Sequence, residues 1–419
     1  MPKTIATTPS WYWPDLIPRA IGIPPFAIGD FLITRFANQL QDETVFVSEK
    51  TEYRFLEVLN LTDKIAASIR EKRSSDDQLN IGMLLGRSPQ AALLFLAALK
   101  SNSKVYLIDD QNLDSYDFKN LKLDFFTGDF DKSLFENKTK LTDVIYYSFE
   151  DLKDSVLDQN NSDLNKLNLF IPDVNINKPQ ICLRGKFGLT WHSQRSLLAG
   201  ALSFASFLEG SIIVKQRSEN TWLNYYCLSV WEGVVGLLTS LINGSKTYFC
   251  ETADQVVNTI NEYAPNYILC DFEKSAEFIG QLGRKKRSSL NSNQAALLGI
   301  NGEFSPDARR EVSNSLGSAL TFYGTGETLI MVSAHPSWYI DEAVGIAIPN
   351  MHIVPADPDT FEPIDTLWEL LDEAVISAWS PSLSTSYNGN LIDHIKDGRF
   401  ITESLAASDP NGMLYLLDA

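Results

Sequence analysis

Cysteine is scarce in this 419-residue sequence. The four cysteines, Cys182, Cys227, Cys250 and Cys270, lie at least 20 residues apart. They form none of the close pairs that hold a zinc ion or work as a redox dithiol. We therefore expect reduced, buried thiols.

Histidine is equally rare, with four residues in the chain. His192, His335, His352 and His394 include no pair at the i, i+4 spacing of a helical zinc site. The sequence predicts no metal site built on histidine, and each histidine is expected to be a surface or hydrogen-bonded core residue.

Positive charge is also in short supply. Lys and Arg number 35 against 53 Asp and Glu, which gives a formal net charge of −18. Such a surface repels phosphate backbones unless a local basic face overrides it. Nucleic acid is therefore not an expected partner.

Long apolar runs are absent. The longest, Ala91 to Leu99, has nine residues, whereas a helix that spans a bilayer needs about 20. The start, Met1-Pro2-Lys3, lacks the charged and then apolar pattern of a signal peptide. We expect no membrane association and a cytoplasmic location.

The composition is that of a folded globular protein, with 44% hydrophobic and 21% charged residues. At about 150 residues per domain, the length predicts two or three lobes.

The regular pattern is strand, helix, strand. Ile81–Leu85 has the apolar pattern of a buried strand, Ser88 and Pro89 predict a helix start before Gln90–Lys100, and Val105–Ile108 predicts the next strand. The same alternation recurs at 252–263, 267–270 and 296–300, followed by a helix that Ser305 and Pro306 would cap and by a strand at 320–322. This pattern predicts parallel sheets with helices on both faces.

Composition changes divide the chain into four parts. Residues 1–77 are expected to join the second α/β lobe, 78–200 to form the first lobe and 201–340 the second. The stretch Asp151–Pro179, rich in Asp, Asn and Lys, predicts an irregular connection. Residues 341–419, with frequent proline and glycine, predict a small β-rich lobe.

Six short motifs occur along the chain, and their order and spacing are informative. They are Thr51-Glu52-Tyr53, Val105-Tyr106-Leu107-Ile108-Asp109, Tyr226-Cys227-Leu228-Ser229-Val230-Trp231-Glu232, Asn301-Gly302-Glu303, Tyr323-Gly324-Thr325-Gly326-Glu327 and Gly345-Ile346-Ala347-Ile348-Pro349-Asn350. In this order and spacing they resemble motifs of the adenylate-forming enzymes. The resemblance is greatest to the adenylation domains of nonribosomal peptide synthetases, and it covers nearly the whole chain.

The resemblance implies a fold: two doubly wound α/β lobes packed together and a small distorted β-barrel lobe. It also implies site residues. The nucleotide-binding positions would be Gly302, Glu303, Tyr323, Gly324, Thr325, Glu327 and Ser404, and the acceptor pocket would contain Tyr226, Cys227, Ser229 and Trp231. In the family, the glutamate at the position of Glu327 holds magnesium.

The phosphate-binding loop departs most from the family pattern. Where the family has a long run of glycines and hydroxyl residues, this chain has only Arg184, Gly185, Lys186 and Phe187 before Gly188, and His192 follows soon after. Few backbone donors remain to hold phosphates. Arg184 and Lys186 could still attract an anion.

Three single positions also depart from the family pattern, and each lacks a group that would bind nucleotide or substrate. Ser404 stands where the family has its ribose-binding aspartate, and a serine lacks two ionised acceptor oxygens. Gly326 replaces a phosphate-contacting threonine. Cys227 replaces the aspartate that pairs with an α-ammonium group, so an amino-acid substrate would lose its counter-charge.

Two hypotheses follow. The first is a degenerate adenylation domain with little or no ATP-dependent activity, no cofactor, and a structural or docking role beside neighbouring synthetase domains or pathway proteins. Its nucleotide cleft would be partly filled by Phe187, Trp191 and Tyr323, and Glu327 would cap nearby backbone. The second is an active ligase for a carboxylic or α-keto acid that uses ATP and Mg.

The family's small C-terminal lobe, which carries a catalytic lysine, has no counterpart in the sequence. This is compatible with natural loss and with truncation of a longer chain.

Overall fold

A computed structural model describes residues 8, 12–36, 42–72, 78–113, 116–142, 144–155, 175–209, 220–282, 294–300, 305–335, 340–364, 374–387, 394–409 and 411–417. Its helices are α1 Ile28–Phe36, α2 Phe55–Glu71, α3 Pro89–Ser101, α4 Phe118–Leu121, α5 Lys132–Thr139, α6 Phe149–Asp154, α7 Gln194–Glu209, α8 Trp231–Ile242, α9 Ala253–Tyr263, α10 Phe272–Leu282 and α11 Pro306–Leu316.

The strands lie between these helices. They are β1 Thr44–Val47, β2 Glu52–Arg54, β3 Asn80–Leu84, β4 Lys104–Leu107, β5 Phe125–Gly128, β6 Tyr146–Ser148, β7 Ile181–Arg184, β8 Leu189–His192, β9 Thr221–Asn224, β10 Lys246–Phe249, β11 Tyr267–Asp271, β12 Ala295–Gly299, β13 Ser318–Thr325, β14 Leu329–Ser333, β15 Ile346–Ala347, β16 His352–Ala356, β17 Ala374–Trp379, β18 Ser386–Tyr387, β19 Ile395–Lys396, β20 Arg399–Ser408 and β21 Leu414–Leu416.

Two mixed, largely parallel sheets form the α/β part. The first has the strand order β18-β8-β7-β4-β3-β5-β6, and the second has the order β15-β14-β13-β12-β11-β9-β10-β1-β2. Since β1 pairs in parallel with β10, the segment before residue 78 contributes to the second sheet.

The predicted strand-helix-strand unit is present. The Ser88 hydroxyl accepts a hydrogen bond from the Ala91 amide at 3.0 Å, Pro89 occupies the first turn of α3, and Asn102 ends the helix in the left-handed conformation. Residues 91–99 are all buried, because α3 lies inside the protein.

One hydrophobic core joins the two sheets. It contains Ile81 and Leu183 of the first sheet and Leu297 and Leu320 of the second, all fully buried. Helices α2 and α3 contact one another, as do α7 and α8. The two lobes therefore share their interior.

The third sheet is antiparallel, with β16, β17, β20 and β19 in order and β21 paired to β20. Two short strands from residues 341–419 lie elsewhere. β15 pairs with β14 in the second sheet and β18 pairs with β8 in the first. The β-rich part is thus tied into both α/β sheets. No described helix is long and apolar enough to cross a membrane.

Candidate functional site

A cavity of about 590 Å³ lies where loops of the two α/β lobes meet β20. Ten of the residues predicted from the sequence line it: Arg184, Gly185, Lys186, Tyr226, Cys227, Trp231, Tyr323, Gly324, Thr325 and Ser404. Its volume is in the range of small-molecule sites.

The expected filling of this cleft by Trp191 and Phe187 is wrong. Trp191 packs edge-on against Tyr106 with ring centroids 4.8 Å apart, and Phe187 stacks on His394 at 3.7 Å. Of the three aromatic residues, Tyr323 alone belongs to the cavity lining. The rings of Trp191 and Phe187 pack against aromatic partners outside the cavity.

Residues 185–188 form a tight hairpin turn between β7 and β8. The Gly185 amide donates to the Gly188 carbonyl oxygen at 2.7 Å, directly after the last strand pair, Arg184 and Leu189. Gly188 has φ +139°, which favours glycine. The chain therefore has a closed turn at the position where the resemblance predicted a remnant of the phosphate-binding loop.

The Glu327 carboxylate is fully buried beneath this turn. Its oxygens accept hydrogen bonds from the Lys186 amide at 3.1 Å and the Phe187 amide at 3.2 Å. A side chain at position 185 would overlap this carboxylate. Glu327 therefore caps the backbone, as the first hypothesis expected, although it does not line the cavity.

Magnesium does not fit this arrangement. Each Glu327 oxygen already accepts a backbone amide, and Mg²⁺ is normally held through carboxylates in octahedral geometry. In the described part of the chain, no three metal-ligating side chains converge. We derive no step through a metal at Glu327.

Gly326, in the turn between β13 and β14, packs directly against the β7–β8 turn. A Cβ atom there would overlap the Arg184 carbonyl oxygen and lie 2.7 Å from the Gly185 Cα. A threonine, as in the family, has no room here. Glycine lets the β13–β14 turn and the β7–β8 turn lie in direct backbone contact.

Replacing Gly326 by alanine is expected to lower the free energy of unfolding by about 1–3 kcal/mol, the usual cost of overpacking. The control is Gly280→Ala in α10, where nothing lies within 4 Å of the added Cβ. That change should raise stability by about 0.5–1 kcal/mol, since alanine is the better helix former. Urea denaturation measures both. Equal stability of Gly326→Ala and wild type would contradict the close contact.

Ser404 on β20 joins two parts of the cavity wall. Its hydroxyl oxygen lies 2.6 Å from the Tyr323 hydroxyl and accepts from the Lys186 ammonium at 2.8 Å. The position expected to meet a ribose is thus occupied by an internal hydrogen-bond chain.

His192 lies outside the cavity and is fully buried. Its Nε2 is 2.6 Å from the Gly326 carbonyl oxygen, so Nε2 carries the proton, and Nδ1 lies 3.2 Å from the Ser196 hydroxyl. Burial lowers the pKa of His192 to about 4. His192 is a neutral structural residue that holds the β13–β14 turn.

Of the four residues predicted for the acceptor pocket, Tyr226, Cys227 and Trp231 line the cavity and Ser229 does not. Ser229 is buried and exchanges hydrogen bonds with the backbone of Leu85, so it joins the two lobes and does not line the cavity. Cys227 lines the cavity and is partly exposed, unlike the three other thiols. Burial still raises the pKa of the Cys227 thiol above its usual value.

Thr325 belongs to the cavity lining but is held internally, because its amide and hydroxyl both contact the Thr328 hydroxyl, at 3.1 and 3.2 Å. Gly188 does not line the cavity. Gly302 and Glu303 lie outside the described residues.

Several charged residues of the cavity were missed in the sequence. Asp109 and Asp110 follow β4, Asp271 is the last residue of β11, and Lys274 lies in the first turn of α10. Asp109 faces the Arg184 guanidinium at 3.6 Å. The signal was their position at the carboxyl ends of parallel strands, where ligands bind in open α/β sheets.

No family model matches the sequence, and no curated protein does either. Solved structures do match. O-succinylbenzoate CoA synthetase (MenE) from Bacillus subtilis is 16% identical with a TM-score of 0.73, over 93% of this chain and 78% of that chain. ATP-bound MatB from Rhodopseudomonas palustris is 14% identical with a TM-score of 0.74, over the same shares.

A luciferase-like enzyme from the nonluminescent Zophobas morio mealworm is 14% identical with a TM-score of 0.77, over 95% of this chain and 97% of that chain. These proteins are adenylate-forming enzymes. The chain has the fold of their large N-terminal part, which confirms the predicted fold.

Proposed function

We propose that the chain is a degenerate adenylation domain with little or no ATP-dependent activity. The observation that carries this proposal is the closed turn at 185–188. The amides of Gly185, Lys186 and Phe187 all donate within the chain, two of them to Glu327. Phosphate binding by a loop depends on free, convergent amides. This turn therefore has few backbone amides left that could bind a triphosphate.

Two further contacts support the proposal. Lys186, the cation within the turn, donates to Ser404, and Ser404 also contacts Tyr323. The groups that would meet phosphate and ribose therefore bond to each other. Charge stabilisation of a leaving pyrophosphate is normally the largest catalytic contribution, and in this arrangement Lys186 and Ser404 are engaged with other side chains.

The remaining role is structural or docking. We propose neighbouring synthetase domains or pathway proteins of nonribosomal peptide or polyketide biosynthesis as partners, and no cofactor. The net charge of −18 favours a basic partner surface. A specific interface of this kind buries on the order of 1,200 Å² or more.

The open cavity favours a second candidate, an acid ligase. Arg184, Lys186 and Lys274 line its 590 Å³ and could meet an anion. A bare carboxylate substrate needs no counter-charge at Cys227. The structural neighbours include an ATP-bound MatB and an AMP-bound MenE.

ATP with magnesium should leave the melting temperature unchanged, because the turn and Ser404 offer no nucleotide contacts. A ligand at 100 times its Kd would add about 2.7 kcal/mol of stability, which differential scanning fluorimetry detects easily. Pyrophosphate exchange across a panel of carboxylic and α-keto acids tests the reaction itself. Exchange that Lys186→Met abolishes would establish the ligase and refute the degenerate domain.

A further inference from the structure

A second concave surface lies beside α9, away from the central cavity. A cavity of about 580 Å³ is lined by β1, β10 and α9, and a neighbouring cavity of about 440 Å³ reaches the start of α3. The two share Ser48, Glu49, Phe249 and Gln255 as lining residues. The two adjoining cavities are here together called the α9 groove.

Carboxylates dominate the α9 groove. Glu49, Glu52 and Glu262 line its first half, and none of them forms an ion pair within the described part of the chain. Glu49 accepts one hydrogen bond, from the Gln255 amide group at 2.9 Å. The second half adds Asp129, Asp131, Glu150 and Glu251. Of these, Glu150 is paired with Lys153 at 2.8 Å, and Asp129 accepts hydrogen bonds from the Gly86 amide and the Ser88 hydroxyl.

The cations of the groove do not balance these charges. Lys50 and Arg87 line the second half. Arg87 is already engaged, because its guanidinium lies 4.3 Å from the centre of the Tyr225 ring and donates to the Glu251 carbonyl oxygen at 3.2 Å. Like charges gathered on one concave wall repel, and a cationic ligand would relieve that repulsion.

A stacked tyrosine pair stands in the first half. Tyr248 and Tyr263 have ring centroids 4.9 Å apart, and Tyr263 is 49% exposed. A hydrogen bond to Glu262 raises the pKa of Tyr263 above its usual value, and burial raises that of Tyr248, with Glu52 and Glu262 adding to both. The rings thus lie in a negative potential, and their faces suit a Lys or Arg side chain.

We propose that the α9 groove is the docking site for an extended, lysine- and arginine-rich segment of a partner protein, whose cations meet Glu49, Glu52 and Glu262. Charge complementarity commits the site to a basic occupant. The length of the groove, two adjoining cavities, suits an extended segment with several side chains better than a single small cation. A metal ion is disfavoured, since no three ligating groups converge among the described residues.

This inference rests on the proposed docking role and gives it a surface. The probe is a fluorescein-labelled peptide of alternating lysine and serine, followed by fluorescence anisotropy on the whole chain at moderate salt. The groove variant is the triple change Glu49→Gln, Glu52→Gln, Glu262→Gln. We expect its Kd for the peptide to be at least tenfold higher than that of the wild type.

The matched control is the triple change Asp15→Asn, Glu71→Gln, Asp359→Asn, which removes the same charge from exposed sites outside the groove. Its Kd should stay within twofold of wild type. Tyr263→Ala removes the exposed ring at unchanged charge, and a Kd threefold or more higher is expected. Melting temperatures confirm that each variant is folded.

An equal loss of affinity in both triple variants would overturn the proposal, because it would reduce the binding to net charge. Displacement of the peptide by spermine at equal charge concentration would do the same, as would no binding at all. ATP binding is measured separately on the same protein. Failure at the groove therefore leaves the degenerate-domain proposal intact, and ATP turnover would leave the groove result standing.

Discussion

Alanine in place of Glu327 is expected to lower the free energy of unfolding by about 3–5 kcal/mol. The change leaves the partly buried amides of Lys186 and Phe187 without their acceptor, and each hydrogen bond to a charged group is worth about 1.5–3 kcal/mol. Glu327→Gln keeps one acceptor oxygen and should lose about half as much. Urea denaturation followed by circular dichroism measures the order wild type, Gln, Ala.

Glu136→Ala is the control for the loss of a carboxylate. Glu136 forms a partly exposed ion pair with Lys132 at 3.7 Å, and such pairs contribute about 0.2–1 kcal/mol. If Glu327→Ala unfolds like the wild type but abolishes an ATP-dependent reaction, Glu327 is a metal ligand and the capping role is refuted.

Acid is expected to destabilise the protein through its buried histidines. Burial lowers the pKa of His192 to about 4 in the folded chain, and the ordinary value of about 6.5 applies once it unfolds. Between pH 6.5 and 4 the unfolded chain therefore binds a proton that the folded chain refuses. The resulting cost grows as the pH falls through this window and reaches about 3 kcal/mol below pH 4.

His335, which burial also shifts to a pKa of about 4, adds to the same trend. Denaturation midpoints measured between pH 4 and 7.5 report the slope. His192→Gln should reduce that slope by about one proton, whereas replacement of the exposed His352 serves as the surface control. An unchanged slope in His192→Gln would show that His192 titrates normally in the folded protein.

Local features of the fold were predictable because their causes are local. Ser88 and Pro89 fix the start of α3, and Ser305 and Pro306 do the same for α11, since capping and proline geometry involve only neighbouring residues. The strand pairing of β18 with β8 was not predictable. Its two residues, Ser386 and Tyr387, carry no periodicity, and their partner lies nearly 200 residues earlier.

The candidate site likewise contains features that could be predicted from local sequence and features that depend on distant residues. Ten residues of the cavity wall could be named from the sequence, because the motifs end at the edges of parallel strands. The sequence did not place Ser229, whose partner is the Leu85 backbone of the other lobe. The prediction that Trp191 and Phe187 fill the cleft was wrong. Their aromatic partners Tyr106 and His394 are brought near only by the complete fold.

The exchange of short strands between the lobes has a consequence for biosynthesis. β15 covers the edge of β14 and β18 covers the edge of β8, and both come from residues beyond 341. During translation, domains normally fold in order from the N-terminus. Here β14 and β8 lack their covering strands until the last fifth of the chain has been made. Open edges invite pairing with other chains, so β14 and β8 are protected from such pairing only after the C-terminal strands have joined the sheets.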